Sequence, residues 1–206
     1  MGRSNRAQAE KNRQRIVDVA DAAFRKGGAR AVTIADVMTQ AGMTQGGFYK
    51  HFQSKDALVA EACMSAFNRS VETWKEKFLQ TDARVDGSLE RLIADYFSDK
   101  PPEKTCPMVA LARDAEPQQA SQALNAAYQT GVDQLFETFA AIASAGQLKE
   151  ISRERLVLTF AAMVGANMLS RATGDKKWVK GVKQALFDQP SSQPPASLRS
   201  ERRRLK

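Results

Sequence analysis

The side chains best suited to chemistry lie between Thr33 and Leu58, in the run TIADVMTQAGMTQGGFYKHFQSKDAL. Gln45 carries an amide whose donor and acceptor match the major-groove edge of adenine. Thr44, beside it, can cap a helix and touch a phosphate or a thymine methyl. Gly46 and Gly47 follow. Two glycines inside a short helix cost about 1 kcal/mol each relative to alanine, a cost tolerated where backbone must approach a partner closely. Tyr49 and His51 carry donors for phosphate oxygens. Lys55 follows Ser54 at a helix start, where backbone N–H groups and an ammonium together favour an anion. Thr33 and Lys50 complete the set of candidate contacts. Upstream, Arg3, Arg6, Lys11, Arg13 and Arg15 make a basic arm able to follow a phosphate backbone; such contacts set affinity and register and carry little sequence information. Without their context, the same residues equally fit a solvated turn with no ligand.

Other chemistries are poorly represented. There is one histidine, His51, and it lies inside that same run. The chain has no metal-spaced His/Cys cluster, no GxSxG and no P-loop. No catalysis, cofactor or metal is expected. Cys63 and Cys106 form no CxxC pair, which points to a reducing cytoplasmic compartment. Cys106 precedes Pro107 at an expected helix start, two residues after Lys104. Both features lower a thiol pKa, so Cys106 is a candidate sensor of electrophiles or oxidants; the competing reading is a small buried residue filling space. Cys63 reads as inert.

The elements that must position these residues are helices. No proline occurs before Pro101, and alternating strand patterns are absent. A first helix is expected over about 8–26, with Ile16, Ala20, Ala23 and Phe24 on one face and Gly27-Gly28 as its stop. A second starts at Thr33, where Asp36 three residues on makes a capping box with Asp in place of Glu. Ile34, Val37, Met38 and Ala41 form its apolar stripe, and Gly42 ends it in a left-handed turn. Thr44 caps a third, very short helix through about Lys50, and Phe48 and Phe52 pack inward. Ser54 caps a fourth, to about Leu79. Five more are expected over 86–98, 107–115, 118–145, 152–173 and 175–188. A helix, a Gly-centred turn and a second short helix have the spacing of a helix-turn-helix, whose second helix enters the major groove N-terminal end first.

Charge supports this division. The 206 residues carry 31 Lys plus Arg against 23 Asp plus Glu, a net of +8. Residues 1–56 hold +5, residues 189–206 hold +4, and the remainder holds −1. A basic N-terminal module on a neutral body suits one part that touches a polyanion and one that does something else. The last 18 residues, proline-rich and basic, are expected to be a disordered tail. The longest nearly apolar stretch, Phe160 to Leu169, has ten residues, against the roughly 20 a membrane span needs. No signal peptide and no membrane partner are expected.

Ile16, Ala20, Phe24, Gly27-Gly28, Thr33-Ile34, Val37, Ala41-Gly42-Met43-Thr44, Gly46, Phe48-Tyr49, His51-Phe52, Ser54-Lys55-Asp56 and Leu58 together resemble the DNA-binding domain of TetR-type transcriptional regulators. The resemblance covers residues 10 to about 68; Gly47 departs from it, since the family more often carries a side chain there. It implies an all-α protein of about nine helices: a helix-turn-helix domain over 1–55, a helical ligand-binding and dimerisation domain over 56–188, and the tail over 189–206. It further implies a bacterial, cytoplasmic, nucleoid-associated homodimer on a palindromic double-stranded DNA operator, usually repressing and released by a small-molecule effector. The family's pocket helices fall where this chain has Trp74, Phe78, Tyr96, Phe97, Cys106, Met108 and Tyr128, with Tyr96 or Tyr128 as the polar handle. Its dimer interface falls where this chain has Leu156, Phe160, Met163, Val164 and Met168. The competing function is a helical protein-interaction adaptor that binds no DNA.

Overall fold

The computed structural model describes residues 2–79, 88–145 and 151–187. Among them every regular element is helical. In chain order these are α1 (Gly2–Gly27), α2 (Ile34–Gln40), a 3-10 helix (Gln45–Lys50), α3 (Lys55–Phe78), α4 (Ser88–Tyr96), a 3-10 turn (Pro102–Lys104), α5 (Pro107–Ala110), α6 (Gln122–Ala145), α7 (Arg153–Thr173) and α8 (Lys177–Phe187). The expected tail and the first residues of the helix expected from 86 lie outside the described residues.

The N-terminal elements end where their glycines dictate. The N–H of Gly28 bonds to the carbonyl of Phe24, and Gly28 sits at φ +82°, a region a Cβ opposes. The end of α2 is a Schellman motif: Gly42 N–H bonds to Thr39 O, Met43 N–H bonds to Met38 O, and Gly42 takes φ +72°. At the start of α2 the expected capping box is present. The Thr33 hydroxyl accepts from the N–H of Asp36, and the Asp36 carboxylate accepts from the N–H of Thr33.

Ile16, Ala20 and Phe24 of α1, Val37 and Met38 of α2, and Phe48, Phe52 and Leu58 are all buried, one small core that fixes the first three helices. An ion-pair cluster ties α1 to α3. Asp21, nearly fully buried, pairs with Arg25 and with Arg69, and Arg69 also reaches Asp18. A buried carboxylate persists only when paired in this way.

The body is built on α3 against α6. Ala62, Cys63, Ala66, Phe67, Val71 and Trp74 face inward from α3; Leu135, Phe139 and Ile142 face inward from α6. The helices approach most closely where the Phe67 ring lies against Gly131, leaving no room for a Cβ. α5 is one turn and not the helix expected over 107–115; residues 111–115 continue as bend and turn.

Backbone contacts group residues 1–160 and 161–206 as two compact units. The second unit's described part is the end of α7 followed by α8. Met163 and Ala166 are buried there, Met168, Leu169 and Trp178 are exposed, and no described side chain of α8 is buried. α7 as a whole is long and apolar enough to cross a membrane by length and composition alone. The count of a nearly apolar run missed this because Thr159 and Ser170 bound the stretch Phe160 to Leu169 without adding charge. Leu156, Phe160, Met163 and Ala166 are buried on it, and 28% of its apolar window is buried in all.

Candidate nucleic-acid interface

The segment after Gly42 is a 3-10 helix and not an α-helix: Gly47 N–H bonds to Thr44 O and His51 N–H to Phe48 O, three residues apart. Six residues with two glycines are too few and too loose to sustain an α-helix. Phe48 anchors the segment in the core, stacked on Phe52 at 5.6 Å and edge-on to Tyr49 at 5.2 Å. With that anchor set, Thr44, Gln45, Gly46, Tyr49 and Lys50 are exposed on the outer surface, Tyr49 at 69%. Gly47 and His51 are half-buried beside them.

Thr44 stands at the N-cap position, yet its hydroxyl makes no capping bond; the expectation that Thr44 caps this helix is corrected. The N–H of Gly47, the third residue of the segment, is taken by the Thr44 carbonyl, and the Thr44 hydroxyl stays on the exposed edge. Gly46 and Gly47 have no positive φ. A Cβ at Gly46 would meet nothing within 4 Å, and one at Gly47 would make ordinary contact with Met38 and Thr44 at 3.7 Å. The fold needs glycine at neither position.

Other expected contacts are partly committed. The Thr33 hydroxyl serves the capping box and also donates to Asp36 at 2.6 Å. That hydroxyl, then the Thr33 N–H, holds the Asp36 carboxyl below the usual carboxylate range. Lys55 is half-buried and its ammonium donates to the carbonyl of Arg30 at 3.3 Å. Of the basic arm, Arg13 is taken by Glu61 and lies 4.6 Å over the Phe52 ring; it serves the head's packing, not a phosphate. Arg6, Lys11 and Arg15 are exposed along α1, which runs from Gly2, so the expected arm is a continuation of the helix. The side chain of Arg3 lies outside the described residues. The Arg15 guanidinium lies beside Gly42, a position in the turn that helical spacing in sequence did not reveal.

The interior residues assigned to a pocket divide into two groups. Trp74, Tyr96 and Phe97 form an edge-to-face aromatic chain, at 6.3 and 5.5 Å. Tyr128 packs edge-on to Phe67 at 5.5 Å and donates to the carbonyl of Met108 at 2.7 Å. Phe78 is buried on α3. The expected activation of Cys106 is corrected. Burial pushes its thiol up, outweighing Tyr96, the N–H groups of Met108 and Val109, and a charge from Lys100 rather than Lys104. Burial likewise raises the Cys63 thiol to about 12, with Asp21 adding to it. Burial raises the Tyr128 phenol to about 12, with lesser contributions from Cys106 and Cys63.

The residues assigned to an interface also divide. Leu156, Phe160 and Met163 are buried within the chain itself, the Phe160 ring 5.4 Å from both Phe136 and Phe139. Val164 is half-buried and Met168 is 54% exposed. Among the described residues of α7 and α8, Val157, Leu158, Leu169 and Trp178 are exposed and apolar as well. Both faces of α7 are apolar, so periodicity alone gives no preference between them.

Residues 16–62, the segment that holds this surface, match the sequence profile of the bacterial regulatory proteins of the tetR family. The N-terminal segment thus carries a domain of the tetR type. It is 39% identical over 101 residues to the HTH-type transcriptional regulator TtgR of Pseudomonas putida, a match over 48% of this chain and 47% of TtgR. It is 34% identical over 61 residues to the HTH-type transcriptional regulator AcrR of Shigella flexneri, 30% of this chain and 28% of AcrR. The chain thus matches about half or less of the length of these curated relatives. In structure it is similar to E. coli NemR in its reduced form, with a TM-score of 0.74 at 14% identity over 89% of this chain and 99% of that one. It is also similar to a TetR transcriptional regulator from Chloroflexus aurantiacus, with a TM-score of 0.69 at 24% identity over 87% and 94% of the two chains. At such identities the likeness shows the TetR fold and nothing finer.

Proposed function

We propose that this chain is a homodimeric repressor that holds a palindromic operator through the exposed edge of its 3-10 helix and leaves it when a small molecule binds the helical body. One observation carries the reading: Thr44, Gln45, Gly46, Tyr49 and Lys50 are presented together, outward, on a segment whose only large buried side chain is Phe48. Gln45 reads one base pair, Thr44 and Tyr49 contact backbone or a thymine methyl, and Lys55 with the outer face of α1 adds phosphate contacts. The two glycines admit close approach of the duplex, since the fold gives no other reason for them.

The homodimer is supported by the exposed apolar side chains of α7 and α8, an unusual cost for a chain meant to stay alone. Two heads must then stand about 34 Å apart, or a simple multiple, to enter successive major grooves. An effector that prefers another spacing releases the operator, and a coupling of about 1–3 kcal/mol is typical. The aromatic chain of Trp74, Tyr96 and Phe97 suits an apolar, ring-bearing effector better than an electrophile, because the Cys106 thiol is raised and not activated. Selection of bound genomic fragments by the full chain, followed by sizing of the complex, tests the reading. Recovery of one palindromic motif by a dimer supports it. A chain that binds no DNA overturns it in favour of the adaptor, and one that binds all fragments alike overturns the operator reading.

A further inference from the structure

Three polar atoms around the Arg25 guanidinium are buried and have no hydrogen-bond partner among the described residues: Asp21 Oδ1, Arg25 Nε and Thr105 Oγ1. Asp21 and Thr105 are only 2% and 4% exposed. The rest of each group is engaged. Asp21 Oδ2 accepts from Arg25 Nη2 at 2.7 Å and also from Arg69 of α3. Arg25 Nη1 donates to the carbonyl of Thr105 at 3.2 Å, and the Thr105 N–H donates to the carbonyl of Pro102 at 3.1 Å. The Asp21 carboxylate and Thr105 are thus both held against the guanidinium whose Nε is itself loose. The loose atoms are neighbours, although Thr105 lies 80 residues from Arg25.

Their chemistry states what would satisfy them. Arg25 Nε can only donate, the Asp21 carboxylate can only accept, and the Thr105 hydroxyl can do either. One guest must therefore accept from the first and donate to the second. Charge narrows the choice further. Asp18 and Asp21 face Arg25 and Arg69, two negative groups against two positive. An anion or a cation added to that balanced set would be buried without a counter-charge, which is costly. The guest is neutral, both donor and acceptor, and small, because the groups around it already touch one another. Three partners is also the usual number for a buried water.

We propose that Asp21, Arg25 and Thr105 form a built site for one internal water, which accepts from Arg25 Nε and donates to Asp21 Oδ1 and Thr105 Oγ1. The water completes the hydrogen bonding of the ion-pair cluster between α1 and α3. It is part of the fold of the free chain and requires neither DNA nor an effector.

Nuclear magnetic resonance on the full-length, nitrogen-15-labelled chain tests this directly, with Arg25→Lys assigning the Arg25 Nε–H signal by its loss. The expected result is a cross-peak between that proton and water, with the opposite signs in the laboratory and rotating frames that a long-lived dipolar contact gives and proton exchange does not. Thr105→Val supplies a second test by the sign of its effect. It keeps the shape of the side chain and removes the hydroxyl. With water in place, a hydrogen bond is lost: the folding equilibrium constant read from urea unfolding falls about fivefold, the ordinary worth of one such bond, and the water cross-peak weakens. In a dry site the same change removes a bare buried hydroxyl, and stability rises or stays level. The absence of a water contact at Arg25 Nε–H, or a Thr105→Val chain as stable as the parent or more so, overturns the site.

Discussion

The outer edge of the head and the interior around Tyr128 use similar residue types in opposite ways. On the head, Thr44, Gln45 and Tyr49 face outward, and the Thr44 hydroxyl forgoes the capping bond its position offers. In the interior, Tyr128 is bound to Met108 and Asp114 to Ala29. The glycines differ in the same sense. Gly131 is required, because the Phe67 ring occupies the place of its side chain, whereas Gly46 has open space around it. Polar groups and glycines that a fold does not use internally are the ones to examine for an outside partner. Those it does use hold shape and transmit change.

The comparison is most exposed to Phe48→Ala. Truncating this fully buried ring should cost about 3–5 kcal/mol and melt the head, while the α3–α6 pair keeps its helicity. Urea unfolding followed separately by the amide NMR signals of the head and by far-ultraviolet circular dichroism would show one transition split into two. Gly131→Ala should cost about 1–3 kcal/mol through overpacking against Phe67, seen as a lower urea midpoint with an unchanged slope. Gln45→Ala should lose about 1–3 kcal/mol of discrimination at one base pair per half-site and leave stability alone, whereas Lys55→Ala should weaken all sequences alike and lower the salt slope by about one. A Lys55 variant that changed base preference would contradict the assignment.

Gly46→Ala sharpens the contrast because its two effects have opposite sign. The folded chain should gain up to about 1 kcal/mol, and operator binding should weaken as the added methyl meets the duplex. A variant that is both more stable and equally tight would remove the glycine argument. The smallest effect is acid sensitivity of the capping box. Asp36 titrates below its unfolded value, so its contribution is present above the ordinary carboxylate range and is lost as pH falls through the depressed value. Asp36→Asn should flatten that part of the stability profile against pH.

The head was legible in the sequence nearly residue by residue. Its signals are local: a capping box three residues wide, a Schellman glycine, and aromatic anchors four apart. Even there Arg13 was misplaced, because its partner Glu61 lies 48 residues away. The body was legible only as helices. Leu156, Phe160 and Met163 looked the same as Val157, Leu158 and Leu169, since a helix apolar on both sides does not state which face turns inward. Cys106 looked activated by its neighbours in the chain, and burial by residues distant in sequence outweighed them.

The order of residues thus settles that the described elements are helical, where the helices of the head stop, and which short surface is left with polar groups to offer. These depend on interactions within a turn or two, which the chain carries wherever it goes. Packing in three dimensions settles the rest: the inward face of α7, the state of the Cys106 thiol, the commitment of Arg13, and the hydrogen bond that joins Ala29 to Asp114 across 85 residues. Each of these turns on burial or on a partner far along the chain, and neither exists until the helices have met.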